Sequence, residues 1–189
     1  MSRPRGRPGR DAESVSSKKI LAEAIHLLGT VGSEGFTMRS LAACLGVNPM
    51  TIYHHFGDRD GLISAMADLA YSGVSDPKEG TPRTRIEEML LAYHARVLSH
   101  PDLTLLIFAH PKAFPQEALR ITESIRQLLI VDGMTPQRSR LWVGILVDFT
   151  HGAAIAVAMA MNGKSDRSGG DMGYDYRQAL SELMNGLRA

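Results

Sequence analysis

Apolar residues recur at helical spacing along most of this chain, and no stretch alternates in the period of two that marks a strand, so the pattern predicts an all-α fold. From about Ser17 to Gly32, the residues Ile20, Leu21, Ala24, Ile25, Leu28 and Val31 predict an amphipathic first helix. Two short helices follow. Thr37 is placed to cap the first of them, Leu41, Ala42 and Leu45 form its apolar face, and Gly46 can take the left-handed conformation that ends it. Val47 is an apolar plug in the turn, after which Asn48 and Pro49 supply a preferred N-cap and a preferred first helical residue. The helix they start has only Ile52 and Phe56 as its apolar face and closes at Gly57. Asp58 then caps a fourth helix carrying Leu62, Ile63, Met66 and Leu69, which runs to about Ser72.

The run GVSDPKEGTP, residues 73 to 82, reads as a linker, and Thr81-Pro82 starts a helix with Ile86, Met89, Leu90, Tyr93 and Val97 on one face. Further helices are predicted over Leu103 to Ala109, Gln116 to Val131, Thr135-Pro136 to Asn162-Gly163, and about Tyr174 to Leu187, the last preceded by a glycine and serine connection at 164 to 173. The longest of these, through LWVGILVDFTHGAAIAVAMAM, has the length of a membrane span. Asp148 and His151 in its middle argue against lipid, where ionisable groups are costly. An apolar helix outside a membrane must be covered, here by the body and a second subunit or by the monomer core alone. The alanines at 153, 154, 156, 158 and 160 would let another helix approach closely.

The two short helices joined at Gly46 have helix-turn-helix spacing, which is compatible both with DNA recognition and with an ordinary helical hairpin. The second helix favours recognition, because Met50, Thr51, Tyr53, His54 and His55 face away from its small core side and display hydrogen-bonding groups at a short helix. The run GFTMRSLAACLGVNPMTIYHHFGDRDGLISAM, residues 35 to 66, resembles the DNA-binding domain of the TetR family of bacterial transcriptional regulators. Gly35, Phe36-Thr37, Leu41-Ala42, Leu45-Gly46-Val47, Thr51 to Phe56 and Arg59 carry that resemblance, which covers about residues 17 to 72. It implies a TetR-like fold of about nine helices, with a three-helix helix-turn-helix domain and a helical C-terminal dimerisation and effector domain. It also implies that Tyr53 and His55 meet phosphates while Thr51 and Met50 lie near base edges, and that the last two long helices of each chain make a four-helix dimer contact. Asn48, Pro49 and Met50 follow no single family consensus.

Composition refines this picture in two places. The net charge of +1 conceals four arginines and no acid in residues 1 to 10, which leaves −3 for the rest of the chain. Residues 1 to 16 read as a mobile basic arm, and Pro4-Arg5-Gly6-Arg7-Pro8 resembles an AT-hook core, with Arg3, Arg5 and Arg7 as candidate minor-groove or phosphate contacts. A non-specific basic tail is the alternative. The single cysteine, Cys44, excludes an internal disulfide and is expected as a small core residue of the second helix. With no signal-peptide core at the start, a cytoplasmic location is expected.

The region 73 to 189 is expected to hold the dimer contact and an effector site, with Met89, Tyr93, His94, Trp142, Asp148, Phe149 and His151 as candidate ligand contacts. Asp148 and His151 share a helix face and suit a mutual hydrogen bond, a ligand contact or half of a metal site. No catalytic or metal constellation stands out, and GKSDRSGGDMG at 163 to 173 lacks the order of a phosphate loop, so no enzyme activity or cofactor is expected. The reading is a regulator, most directly a homodimeric repressor released from a palindromic double-stranded operator by a small-molecule effector. Its DNA contacts are Thr37, Arg39, Asn48, Pro49, Met50, Thr51, Tyr53, His54, His55 and Arg59, with the arm. An architectural DNA binder without effector, or a small helical enzyme, are the other classes.

Overall fold

Caps and prolines divide the chain into helices much as the sequence predicts. The computed structural model describes residues 15–162 and 175–187. Arg3, Arg5 and Arg7 of the arm, and the connection at 164 to 173, lie outside the described residues. In order the helices are α1 Ser17–Gly35, α2 Met38–Leu45, α3 Pro49–Phe56, α4 Arg59–Tyr71, α5 Pro82–Ser99, α6 Pro101–Ala109, α7 Gln116–Val131, α8 Pro136–Asn162 and α9 Tyr176–Asn185, with a 3-10 turn at Pro111–Ala113. Side chains of Ser16, Thr37, Asn48, Asp58, Thr81 and Asp175 accept backbone N–H groups at helix starts, meeting donors the helix itself cannot satisfy.

Several details depart from the pattern. α1 leaves helical geometry at Gly32, where φ is 69°, so the expected end is kept although one more turn follows. α6 begins at Pro101 rather than Leu103 because proline suits a first helical position. Val31 is 43% exposed and Leu69 37% exposed, each lying off the buried stripe, whereas Leu27 is buried. Cys44 is exposed, contrary to the core position expected: the short α2 buries Met38, Leu41 and Ala42, and Cys44 falls beside that stripe.

Packing gives this order its shape. α1 lies against α2, α4 and α6; α3 rests between α2 and α4; and α5 packs against α7 and α8. Ile20, Leu28, Phe36, Leu41, Ile52 and Leu62 are each at most 1% exposed and form the core beneath the helix-turn-helix. Met66, Ala70 and Tyr71 continue that core along α4 towards Ile86, Met89 and Leu90, so buried apolar contact runs without a break through the described residues. α4 is the shared wall, since it also packs against α6 and α7.

Polar contacts fasten the ends of these elements. Asp68 of α4 accepts the Glu117 N–H at 2.8 Å, capping α7 from outside because Pro115 offers no side-chain cap. Arg120 donates to the Val74 carbonyl just beyond α4. Arg85 donates two bonds to Asp76, at 2.8 and 2.5 Å, which pins the linker to α5. Arg83 reaches Asp132 at 2.8 Å and the Leu187 carbonyl at 2.8 Å, joining α5 to the ends of α7 and α9.

α8 is, among the described residues, the one helix long and apolar enough to cross a membrane. Val143, Leu146, Ala153 and Ala154 are buried against the body, while Leu141, Ile145, Met159 and Met161 are exposed, at 69%, 47%, 66% and 61%. One side of this helix therefore packs internally and the other stays open.

Candidate nucleic-acid interface

The turn between α2 and α3 is built from backbone chemistry. Thr37 and Ser40 cap each other reciprocally, the Ser40 N–H donating to Thr37 Oγ1 at 3.0 Å and the Thr37 N–H to Ser40 Oγ at 2.9 Å. Gly46 takes the left-handed conformation, φ 65° and ψ 30°, and the Val47 N–H donates to the Ala42 carbonyl at 3.0 Å. Glycine adopts this geometry without the steric cost of a Cβ. Asn48 Oδ1 then accepts the Met50 N–H at 2.9 Å, and Pro49 opens α3. At the far end, a Cβ on Gly61 would collide with the Phe56 carbonyl oxygen, so the α3 to α4 corner closes only around glycine.

This framework holds α3 with one fully buried residue, Ile52, and Phe56 half-buried. Met50 is 56% exposed and Tyr53 39% exposed, His54 and His55 are also exposed, and Thr51 is partly so. An eight-residue helix with a single buried side chain owes its stability to the caps and to α2 and α4. Arg39 is exposed on α2, and Thr37 marks the start of that helix. Arg59 at the start of α4 is partly buried, and its Nε is buried without a hydrogen-bond partner. Ser17 Oγ meets His55 Nδ1 at 2.8 Å, a contact the helix-by-helix pattern does not reveal. Basic and hydrogen-bonding groups thus surround α3, and α3 itself has no acidic residue. The surface suits an anionic, groove-shaped partner.

A second site lies in the body. Tyr71, Tyr93, Thr104, Phe108, Val147 and His151 help to line a cavity among α4, α5, α6, α7 and α8, with an empty volume of about 350 Å³ counted through its mouth. Tyr71 and Thr104 hydroxyls lie 2.9 Å apart, and the Tyr93 hydroxyl lies 2.8 Å from His151 Nε2. Burial raises the Tyr71 hydroxyl to about 12, against the smaller opposing effect of its bond to Thr104. Burial also pushes Tyr93 up, helped by neighbouring Tyr71. It pushes His151 below the usual histidine range, against the attraction of Asp148.

Of the residues proposed from sequence for an effector, the cavity brings Tyr93 and His151 together. Met89 is fully buried in the core, His94 and Phe149 stack on Tyr176, Trp142 is partly buried, and Asp148 is exposed, all outside the cavity wall. Asp148 and His151 do not share the suggested hydrogen bond, because the imidazole turns to Tyr93. Tyr71, Thr104, Phe108 and Thr122 were not signalled, since three separate helices must assemble before they meet.

Residues 20–66 match the family model described as bacterial regulatory proteins, tetR family. The HTH-type transcriptional regulator BetI of Rhizobium meliloti (strain 1021) is 28% identical over 140 residues, covering 70% of this chain and 66% of that protein. The chain thus spans just under two thirds of that relative's length. The crystal structure of BioQ with its natural double-stranded DNA operator matches with a TM-score of 0.73 at 22% identity, over 91% of this chain and 97% of that one. A TetR variant from Acinetobacter baumannii AYE in complex with minocycline matches with a TM-score of 0.72 at 19% identity, over 91% and 96%. At those identities the structural likeness is one of fold.

Proposed function

We propose that this chain, which belongs to the tetR family of bacterial regulatory proteins, is a sequence-specific DNA-binding transcription regulator, a cytoplasmic homodimeric repressor controlled by a small molecule. The observation that carries the reading is α3, which buries Ile52 and exposes Met50, Tyr53, His54 and His55. A helix so displayed fits a major groove. Met50 and Thr51 then lie near base edges, Tyr53, His54 and His55 near phosphates, and Arg39 and Arg59 hold the backbone on either side. Thr37, Asn48 and Pro49 fix the entry of the two helices. Support comes from the BioQ relative in fold, whose structure contains its operator.

Dimerisation uses the open side of α8 together with α9. Leu141, Ile145, Met159 and Met161 are apolar and exposed, and a second copy removes them from water. Two recognition helices about 34 to 36 Å apart enter successive major grooves. Control runs through α4. Its first residues follow α3 directly, Tyr71 at its end lines the cavity, and Asp68 caps α7. A ligand that fits the cavity better when α4 is displaced changes the spacing of the two heads, and only its differential affinity shifts the population. The minocycline complex of a protein of similar fold supports a ligand in the body.

Selection of bound sequences from random DNA tests this reading. Recovery of one palindrome with half-sites about one helical turn apart is expected. A broad, sequence-independent footprint would transfer the protein to the architectural class.

A further inference from the structure

We infer that the cavity among α4, α5, α6, α7 and α8 takes a small neutral ligand, about one aromatic ring in size, whose single oxygen accepts a hydrogen bond from Thr122 or His151. The inference rests on the effector reading above and gives that effector a chemical class.

Charge selects first. None of the lining residues carries an acidic or a lysine or arginine side chain, and burial keeps His151 neutral near pH 7. A charged ligand would lose its hydration with no counter-charge to replace it. Shape selects next. Ile107, Val147 and Ala118 supply an apolar wall, and Phe108 and Phe114, 54% and 51% exposed, also line the cavity, where a ligand would cover them. The empty volume of about 350 Å³ counts open solvent at the mouth, so the enclosed part has room for no more than a small ligand.

Proton accounting then fixes the polar end. Both contacts of Thr104 are satisfied together only when its one hydroxyl proton goes to the His100 carbonyl, 3.2 Å away, and Tyr71 donates to Thr104 across 2.9 Å. Tyr93 bonds His151 Nε2 at 2.8 Å. If Tyr93 donates, the one group left over is His151 Nδ1–H, buried and without a partner. The opposite arrangement strands both the Tyr93 proton and Nδ1, which is costlier. Thr122 lines the same cavity, and its hydroxyl makes no hydrogen bond to a described residue. Both tyrosine protons are then committed internally, while the His151 Nδ1–H is buried without an acceptor and the half-buried Thr122 hydroxyl has none among the described residues. A ligand oxygen that accepts, as in a ketone, fits them.

The experiment uses the full chain with three probes on one ring scaffold: acetophenone, ethylbenzene and benzoate. Titration calorimetry and the nitrogen shifts of the His151 imidazole are read together. Acetophenone is expected to bind about tenfold tighter than ethylbenzene, the value of one well-made hydrogen bond, and benzoate not to compete. Thr122→Val keeps the shape and is expected to reduce the preference severalfold, and adding His151→Phe to abolish it while ethylbenzene still binds. If the double variant does not fold, Thr122→Val and the imidazole shifts decide. Equal binding of acetophenone and ethylbenzene, benzoate as the tighter probe, no saturable acetophenone response, or both Thr122→Val and the imidazole shifts without effect would each overturn the assignment. Operator binding by the probe-free protein is recorded on the same samples. Its loss would count against the regulator reading and leave the ligand class standing.

Discussion

The hydroxyl of Ser17 lies 2.8 Å from Nδ1 of His55, joining the first residue of α1 to the last turn of α3 across 38 positions. With Ser17 on Nδ1, the free ring nitrogen of His55 is Nε2, which the exposed side chain offers to solvent or to a phosphate. Ser17→Ala removes an exposed hydrogen bond and is expected to leave thermal stability within about 0.5 kcal/mol of the parent. It releases the imidazole, and operator affinity is expected to fall by roughly threefold to tenfold. Fluorescence anisotropy with a labelled operator reads the second effect and thermal melting the first. A variant that melts early but binds normally would make the Ser17–His55 bond purely structural.

Tyr53 is 39% exposed on α3. Tyr53→Phe deletes one oxygen and keeps the packing. If that oxygen meets a phosphate, its deletion weakens binding by a similar factor on every sequence, whereas an oxygen on a base edge would change the preferred site when deleted. Gel-shift titration on the selected palindrome and on random duplex is expected to show the uniform weakening. Unchanged affinity on both would remove Tyr53 from the interface.

Arg39 and Arg59 flank α3 from α2 and α4. Arg59 has a buried Nε without a partner, which a phosphate oxygen near the guanidinium would help to offset. Replacing either arginine by alanine is expected to reduce the slope of log affinity against log salt by about one. An identical slope would exclude that residue from the interface.

What the sequence makes legible is local. Thr37, Gly46, Asn48, Asp58 and Thr81 each act on a backbone group a few residues away, so cap chemistry and helical period were enough to find them. Ile52 was legible as the buried side of α3 for the same reason. Cys44 was not, because an eight-residue helix has room for only one narrow stripe, and the sequence does not say on which side of Leu41 it falls. The cavity was least legible. Tyr93 and His151 lie 58 positions apart, and their partners Tyr71 and Thr104 come from two further helices. Tertiary packing, with no local signal, brings them together.

His94 is expected to make stability depend on pH. Its ring stacks on Tyr176 with centroids 3.9 Å apart and its Nε2 is buried without a partner. Burial lowers the pKa of His94, and burial likewise lowers those of His100 and His151. The folded state therefore resists a proton that the unfolded chain accepts near 6.5. Stability from these neutral rings is fully present above the unfolded value and declines as pH falls below it. Melting temperature is expected to drop between pH 7 and pH 5, and to drop less in His94→Phe, which keeps the stack. A flat melting profile in the parent would show that these rings do not control acid stability.

For the basic arm, whose Arg3, Arg5, Arg7 and Arg10 lie outside the described residues, composition alone sets the expectation. On the proposed reading the helix-turn-helix supplies a half-site code through α3, whereas four arginines in ten residues add charge that can neutralise phosphates or enter a flanking minor groove. Deleting residues 1 to 10 is expected to leave the melting temperature, the dimer and the preferred palindrome unchanged. Affinity is expected to fall most at low ionic strength, where counterion release contributes most. Two operators that share a palindrome but differ in their flanks separate the two modes of binding. A larger loss of affinity on A·T-rich flanks identifies minor-groove reading by the Pro4-Arg5-Gly6-Arg7-Pro8 segment, because a narrow groove focuses negative potential on arginine. Equal losses on both flanks leave a non-specific basic tail. No loss on either would mean that the charge asymmetry of the chain has no part in DNA binding.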